Sequence, residues 1–203
     1  MAAPAFPPGG TVLDTFKRSF TDVPVNGDAV STTEFLDAAE SLTGIFDVLG
    51  SVAFGPVKND ILGNVKKIRD RQLAAPALSE NLKDLCLNEL NEKKHVATEG
   101  MVWLFRGLDF TCKALQTSLG KPTQELADSF REAYAVTLKP HHSFLVKPIF
   151  SAAMSACPYR KDFFAKLGET PEIVSEKLKG YLESLAAIVA IMTAFLTSKQ
   201  AKW

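Results

Sequence analysis

Residues 31–50, STTEFLDAAESLTGIFDVLG, read as a helix with both ends marked. Ser31-Thr32-Thr33-Glu34 has the spacing of a capping box, in which a hydroxyl and a carboxylate reciprocally satisfy free backbone amides at a helix start. Phe35, Leu42, Phe46 and Leu49 then fall on one face, and Gly50 ends the run. Upstream, Val12, Leu13, Phe16 and Phe20 recur at helical spacing until Pro24-Val25-Asn26-Gly27 breaks the pattern. Downstream, Pro56 suits the first turn of a helix running to about Leu73. Ser79 can cap a shorter helix through Leu90, and a long one runs from about Val96 to Leu119, closed by Gly120 with Pro122 beyond.

The rest of the chain keeps to the same period. Residues 123–139 carry Leu126, Phe130, Tyr134 and Leu138 at every fourth position. A strongly apolar stretch runs from Pro140 to Cys157, a short helix follows near Asp162 to Leu167, and Thr170-Pro171 opens a last helix to about Lys199. No segment alternates apolar and polar residues between turn signals at strand spacing, and no repeat of solenoid length is present. The fold class is therefore all-α, with about eight helices in one domain over residues 11–203. Residues 1–10, rich in Pro, Gly and Ala, are expected to be a disordered tail.

Composition narrows the function. In 203 residues, 46% are hydrophobic and 23% charged, which excludes a disordered chain, a collagen-like fibre and a disulfide scaffold. The 23 basic residues are balanced by 23 acidic ones, so the counterion release that drives nucleic-acid binding has no basic excess behind it. Binding to a membrane by charge alone is disfavoured on the same ground. Three scattered cysteines, Cys86, Cys112 and Cys157, fit a reducing compartment and supply no metal cluster. The N-terminus lacks the basic start and apolar core of a signal peptide, and the apolar run from Leu185 to Leu196 is shorter than the ~20 residues that span a bilayer. The expected location is cytoplasmic.

Signatures of catalysis are absent: no phosphate-cradling glycine loop, G-x-S-x-G elbow, H-E-x-x-H pair or C-x-x-C. His141, His142 and Ser143 adjoin, but adjacent helical residues point in different directions and make no nucleophile–base pair by themselves. The expectation is a protein that is not an enzyme, with no catalytic residue, metal or cofactor. Binding chemistry is better represented. Asp60, Asn64 and Lys67 sit at i, i+4 and i+7 of the helix after Pro56, so a carboxylate, an amide and an ammonium share one face. That set can grip vicinal hydroxyls of a sugar; the same spacing also describes a solvated face held by weak side-chain pairs. Trp103 offers a platform for the apolar face of a sugar ring or for a cation, and equally fits a core tryptophan. His142 can give one hydrogen bond to a ligand carbonyl or be a satisfied structural histidine. The 14 phenylalanines, against 3 tyrosines and 2 tryptophans, can line a hydrocarbon cavity or simply fill the core.

Three blocks, taken in order, resemble the glycolipid transfer protein family over nearly the whole chain after the tail. They are Phe46-Asp47-Val48-Leu49-Gly50-Ser51 with Pro56 through Ile68; Trp103-Leu104-Phe105-Arg106-Gly107-Leu108; and His142-Ser143-Phe144 with Ala156-Cys157-Pro158-Tyr159. The wording most resembles the fungal heterokaryon-incompatibility C2 type within that family. The resemblance implies a two-layer all-α sandwich that carries a neutral sugar-ceramide between membranes without chemical change. It places Asp60 on sugar hydroxyls and the ceramide amide N–H, Asn64 and Lys67 on the sugar, Trp103 beneath the sugar ring, and His142 on the amide carbonyl. It places Phe46, Leu49, Val57, Phe110, Leu138 and Phe150 along the hydrocarbon tunnel.

Two positions depart from the animal pattern: Phe144 stands where those members carry a tryptophan, and Glu99 replaces an apolar residue. Docking is expected through Phe144, Pro148 and Tyr159, helped by Lys147, in transient peripheral contact with membranes, by a monomer. Family members that carry ceramide-1-phosphate are basic at the sites of Asn64 and Trp103, so the amide and indole here imply a neutral head group. The alternatives are a glycolipid sensor or interaction adaptor, or ceramide-1-phosphate transfer.

Overall fold

The helix that begins in the 31–50 stretch ends its regular geometry at Gly50, as its sequence indicates, and a second helical segment follows at once across a kink. In the computed structural model, which describes residues 6–202 apart from the side chain of Ser51, α1 (Thr32–Ala74) departs from helical geometry only at Gly50, with φ 121° and ψ 103°. A side chain is strained at that positive φ, which is why a glycine marks the bend. The helix resumes at once, so Pro56 lies inside α1 and not in a first turn.

The start of α1 also differs from a capping box. The Ser31 hydroxyl donates to the Glu34 carboxylate, and no side chain caps the helix. The Ser31 and Thr32 amides are taken instead by the Pro24 carbonyl (3.0 Å) and the Glu80 carbonyl (3.0 Å). Between Pro24 and Ser31 the chain forms a small antiparallel hairpin, β1 (Val25–Asn26) with β2 (Ala29–Val30), turning at Gly27 with φ 63°. Sequence alternation is too short to reveal two-residue strands. The run from Val12 to Phe20 is likewise two short 3-10 turns, Val12–Thr15 and Phe20–Asp22, and not one helix.

The remaining helices are α2 (Leu82–Glu89), α3 (Val96–Gly120), α4 (Leu126–Val136), α5 (Lys147–Ser155), α6 (Arg160–Leu167) and α7 (Pro171–Leu196). With α1 divided at Gly50, that makes eight α-helical segments among the described residues. Asn81, not Ser79, caps α2, its side chain accepting from the Asp84 amide at 2.9 Å. α4 stops at Val136, so Leu138 lies in the turn that follows. Residues 1–5 of the expected tail lie outside the described residues; Phe6 is partly buried against the core, and the Pro7 carbonyl accepts from the Gly10 amide at 2.7 Å.

α3 is the centre of the architecture, packed against α1, α4 and α7, in an all-α sandwich of two layers. α7 is long and apolar enough to cross a membrane by length and composition. Its Val174, Leu178, Leu182, Leu185 and Ile188 are instead buried in the core that it shares with α3. A continuous aromatic chain ties the helices together: Phe46 to Phe54 at 5.9 Å, Phe54 to Phe130 at 5.7 Å, Phe130 to Phe110 at 5.5 Å, and Phe110 to Phe150 at 6.0 Å. Phe46 stacks on Phe54 and the other three pairs meet edge to face, and both geometries add to the stabilisation from area burial alone.

Candidate functional site

A cleft of about 380 Å³ opens between the second part of α1, α3 and the turn leading into α5. Its polar wall is the helical face anticipated by spacing. The Lys67 ammonium donates to the Asn64 carbonyl oxygen (3.0 Å), and the Asn64 amide donates to the Asp60 carboxylate (3.2 Å). Asn64 is buried while Asp60 and Lys67 are exposed, so the buried amide holds two solvent-facing charges in register. Partial loss of hydration against the cleft walls raises the Asp60 carboxyl above its ordinary value, and Lys67 and then Asn64 pull it back part of the way.

The facing wall is aromatic. Trp103, from α3, is half-buried and lies nearly parallel to the His142 ring at 6.0 Å. The Arg106 guanidinium sits over the Trp103 ring at 4.9 Å. His142 contacts Phe150 at 4.5 Å between ring centres, and its Nδ1 is 3.1 Å from the Tyr134 hydroxyl. All five residues expected at the head group therefore line one cleft: Asp60, Asn64, Lys67, Trp103 and His142. Glu99 joins them there.

Of the residues expected along the hydrocarbon path, Val57, Leu138 and Phe150 line this cleft. Phe46, Leu49 and Phe110 are buried elsewhere in the core, Phe110 touching Phe150 from behind. Beside the cleft mouth, Phe144 is 79% exposed, with Leu145 and Ile149 exposed near it and Lys147 and Pro148 between them. Tyr159 is also exposed, but it sits at the start of α6, outside the cleft lining. Leu145 and Ile149 extend the apolar surface beyond the residues that the sequence singles out. An apolar pair spaced four apart on the way into a helix is the signal that marks them.

Burial, and then the charges of His141, Lys147 and Arg106, hold the His142 imidazole below its ordinary value of 6.5. Burial and Arg106 lower His141 in the same direction. Below about pH 6.5 the unfolded chain takes up protons that the folded chain accepts only at lower pH, so stability declines as the pH falls from there. Urea midpoints measured at about pH 7.5 and 5.5 are expected to drop less in His142→Asn than in the unsubstituted protein. An equal drop in both would place the titration elsewhere.

Comparison with known proteins follows the same lines. Residues 30–169 match the family described as Glycolipid transfer protein (GLTP). A glycolipid transfer protein of the fungus Aureobasidium melanogenum is 63% identical over 199 residues, which is 98% of this chain and 99% of that one. The human pleckstrin homology domain-containing family A member 8 is 31% identical over 162 residues, covering 77% of this chain but 31% of that longer protein. Among solved structures, HET-C2, a fungal glycolipid transfer protein, aligns with a TM-score of 0.93 and 64% identity over 95% of this chain and all (100%) of that one. Mouse ceramide-1-phosphate transfer protein shares the fold at a TM-score of 0.82 and 18% identity, over 95% of this chain and 98% of that one.

Proposed function

The chain belongs to the glycolipid transfer protein family, and we propose that it carries a neutral glycosylceramide between membranes, leaving the lipid chemically unchanged. The observation that carries this reading is the cleft itself. One wall offers an ordered carboxylate, amide and ammonium; the other offers an indole and an imidazole; and the apolar residues between them continue into a phenylalanine-rich core. In this reading Asp60, Asn64 and Lys67 bind the sugar, Trp103 stacks beneath it, and Asp60 and His142 bind the ceramide amide. The hydrocarbon chains enter among Val57, Leu138 and Phe150 and part the aromatic core toward Phe110, Phe46 and Leu49. Each methylene left in water costs about 0.8 kcal/mol, so a carrier has to enclose the chains.

The head group is neutral in this proposal because the cleft carries two carboxylates, Asp60 and Glu99, which offset the Lys67 ammonium on its lining and the Arg106 guanidinium over Trp103 and leave no basic excess for a phosphate. A phosphate dianion placed there would face the carboxylates. The test is transfer of fluorescent glucosylceramide between vesicles, with ceramide-1-phosphate as competitor. Rapid transfer that the phosphate lipid fails to inhibit is the expected result. Inhibition by the phosphate lipid would reassign the cargo, and no transfer by well-folded protein would move the function to that of an adaptor.

The protein works from the cytoplasm as a monomer in this proposal, is not an enzyme, and touches membranes transiently through Phe144, Lys147, Pro148 and Tyr159, with Leu145 and Ile149 enlarging the apolar contact. Partial burial of a phenylalanine is worth on the order of 1–2 kcal/mol. Phe144→Ala is therefore expected to lower partitioning onto neutral vesicles by roughly 5- to 30-fold, while binding of short-chain glucosylceramide in solution is unchanged. Co-sedimentation separates the two; unchanged partitioning would remove Phe144 from the docking surface.

A further inference from the structure

Tyr134 occupies a position that its helical period assigns to the core, and its ring is indeed buried, stacked on Phe150 at 5.3 Å and 9°. Its hydroxyl, however, is 3.1 Å from His142 Nδ1. A phenol is the better donor of the two groups, and a pyridine-type imidazole nitrogen the better acceptor. Burial raises the Tyr134 phenol, which keeps its proton on the oxygen. The bond therefore runs from the Tyr134 O–H to Nδ1, and the proton of neutral imidazole is on Nε2.

We infer that Tyr134 is a positioning residue for the lipid site: its hydroxyl selects the Nε2–H tautomer of His142, so that the cleft presents a donor at His142 as well as the acceptor at Asp60. One secondary amide needs that complement, an acceptor for its N–H and a donor for its carbonyl. In the other tautomer Nε2 would be an acceptor, lone pair against lone pair with an amide oxygen. The inference rests on the proposed function for its consequence in binding, but not for the tautomer itself. Other groups face His142 from each side: Trp103 and Arg106 of α3, Phe150 and Lys147 of α5, and His141 beside it. Among the described residues Nδ1 is hydrogen-bonded by Tyr134 and by none of these.

Long-range ¹⁵N–¹H spectra of the lipid-free, histidine-labelled full chain read the tautomer directly. His142 is expected to show a protonated Nε2 and a hydrogen-bonded, unprotonated Nδ1. Tyr134→Phe keeps the ring stack and removes only the hydroxyl. In that variant the Nδ1–H form should become populated and the His142 titration should move up, since a bond that favoured the neutral ring is gone. Glucosylceramide affinity, followed by tryptophan fluorescence, should weaken about 5- to 10-fold.

A protonated Nδ1 in the unsubstituted protein, or an unchanged His142 signature in Tyr134→Phe, would overturn the assignment. A changed signature with unchanged lipid affinity would overturn its role in binding. The expected tautomer in a protein that binds no glucosylceramide would support Tyr134 as the positioning residue while removing the transfer function.

Discussion

Asp60→Val is expected to reduce glucosylceramide transfer by more than about 100-fold while leaving the helical fold intact. In the proposed site the Asp60 carboxylate serves both the sugar hydroxyls and the amide N–H. Hydrogen bonds to a charged group are worth roughly 1.5–3 kcal/mol each, and two of them amount to about 3 kcal/mol or more. The fold is expected to survive the change. Asp60 is exposed, but among the described residues its one side-chain hydrogen bond is from the buried Asn64, whose amide would lose that acceptor at about 1–3 kcal/mol. A β-branched residue in mid-helix adds about 0.5 kcal/mol. At about 2–4 °C per kcal/mol for a chain of this size, the melting temperature should fall by roughly 3–14 °C. Asp60→Asn separates charge from shape, keeping one carbonyl oxygen and losing the second acceptor. Transfer within threefold of the unsubstituted rate by a helical Asp60→Val protein would remove Asp60 from the centre of the site.

What the sequence could reveal about this site followed the range of the interactions. Asp60, Asn64 and Lys67 are one helical face, and helical spacing alone brings them together. Trp103 and His142 join them only through tertiary packing of α3 and the turn before α5, so no local pattern linked the three; the family resemblance did. Tyr134 was visible only as one member of an apolar period, because periodicity records where a ring goes and not what its hydroxyl touches. The fold shows the same division. Helix identity was legible from residue 31 onward but not before it, and caps were not: the Ser31 and Thr32 amides bond to Pro24 and Glu80, partners set by a hairpin and a neighbouring loop. Phe144 lies in an apolar stretch, Phe144-Leu145-Val146, whose composition alone reads as core; the family resemblance, not a local pattern, put it at the surface.

The largest effect on stability is expected from a residue that no sequence pattern singled out. Glu89, the last residue of α2, is buried, and its carboxylate accepts from the Ala97 amide (2.8 Å), the Thr98 amide (2.6 Å) and the Thr98 hydroxyl (2.6 Å). It thereby caps α3 from another helix, while His95, the residue at the N-cap itself, turns its ring to the Glu92 carbonyl. An anion at a helix N-terminus also meets the positive end of the helix dipole. Glu89→Ala would leave two buried backbone donors without an acceptor, at about 1–3 kcal/mol each, and add a cavity. The expected loss is about 3–5 kcal/mol, or a fall in melting temperature of roughly 6–20 °C.

Asn81→Ala, which removes an exposed cap of α2, is the internal scale; such caps are worth about 1 kcal/mol. Glu89→Gln should fall between the two, because one amide oxygen remains to accept. A Glu89→Ala protein that melts no lower than Asn81→Ala would mean that water replaces the carboxylate at no cost. Because α3 carries Trp103 and Glu99 into the cleft, the destabilised variant should also bind glucosylceramide more weakly, and saturating lipid should recover part of the lost melting temperature. That recovery ties the start of α3 to the site: a frayed first turn has to be ordered again when lipid binds, and the binding energy is reduced by that amount.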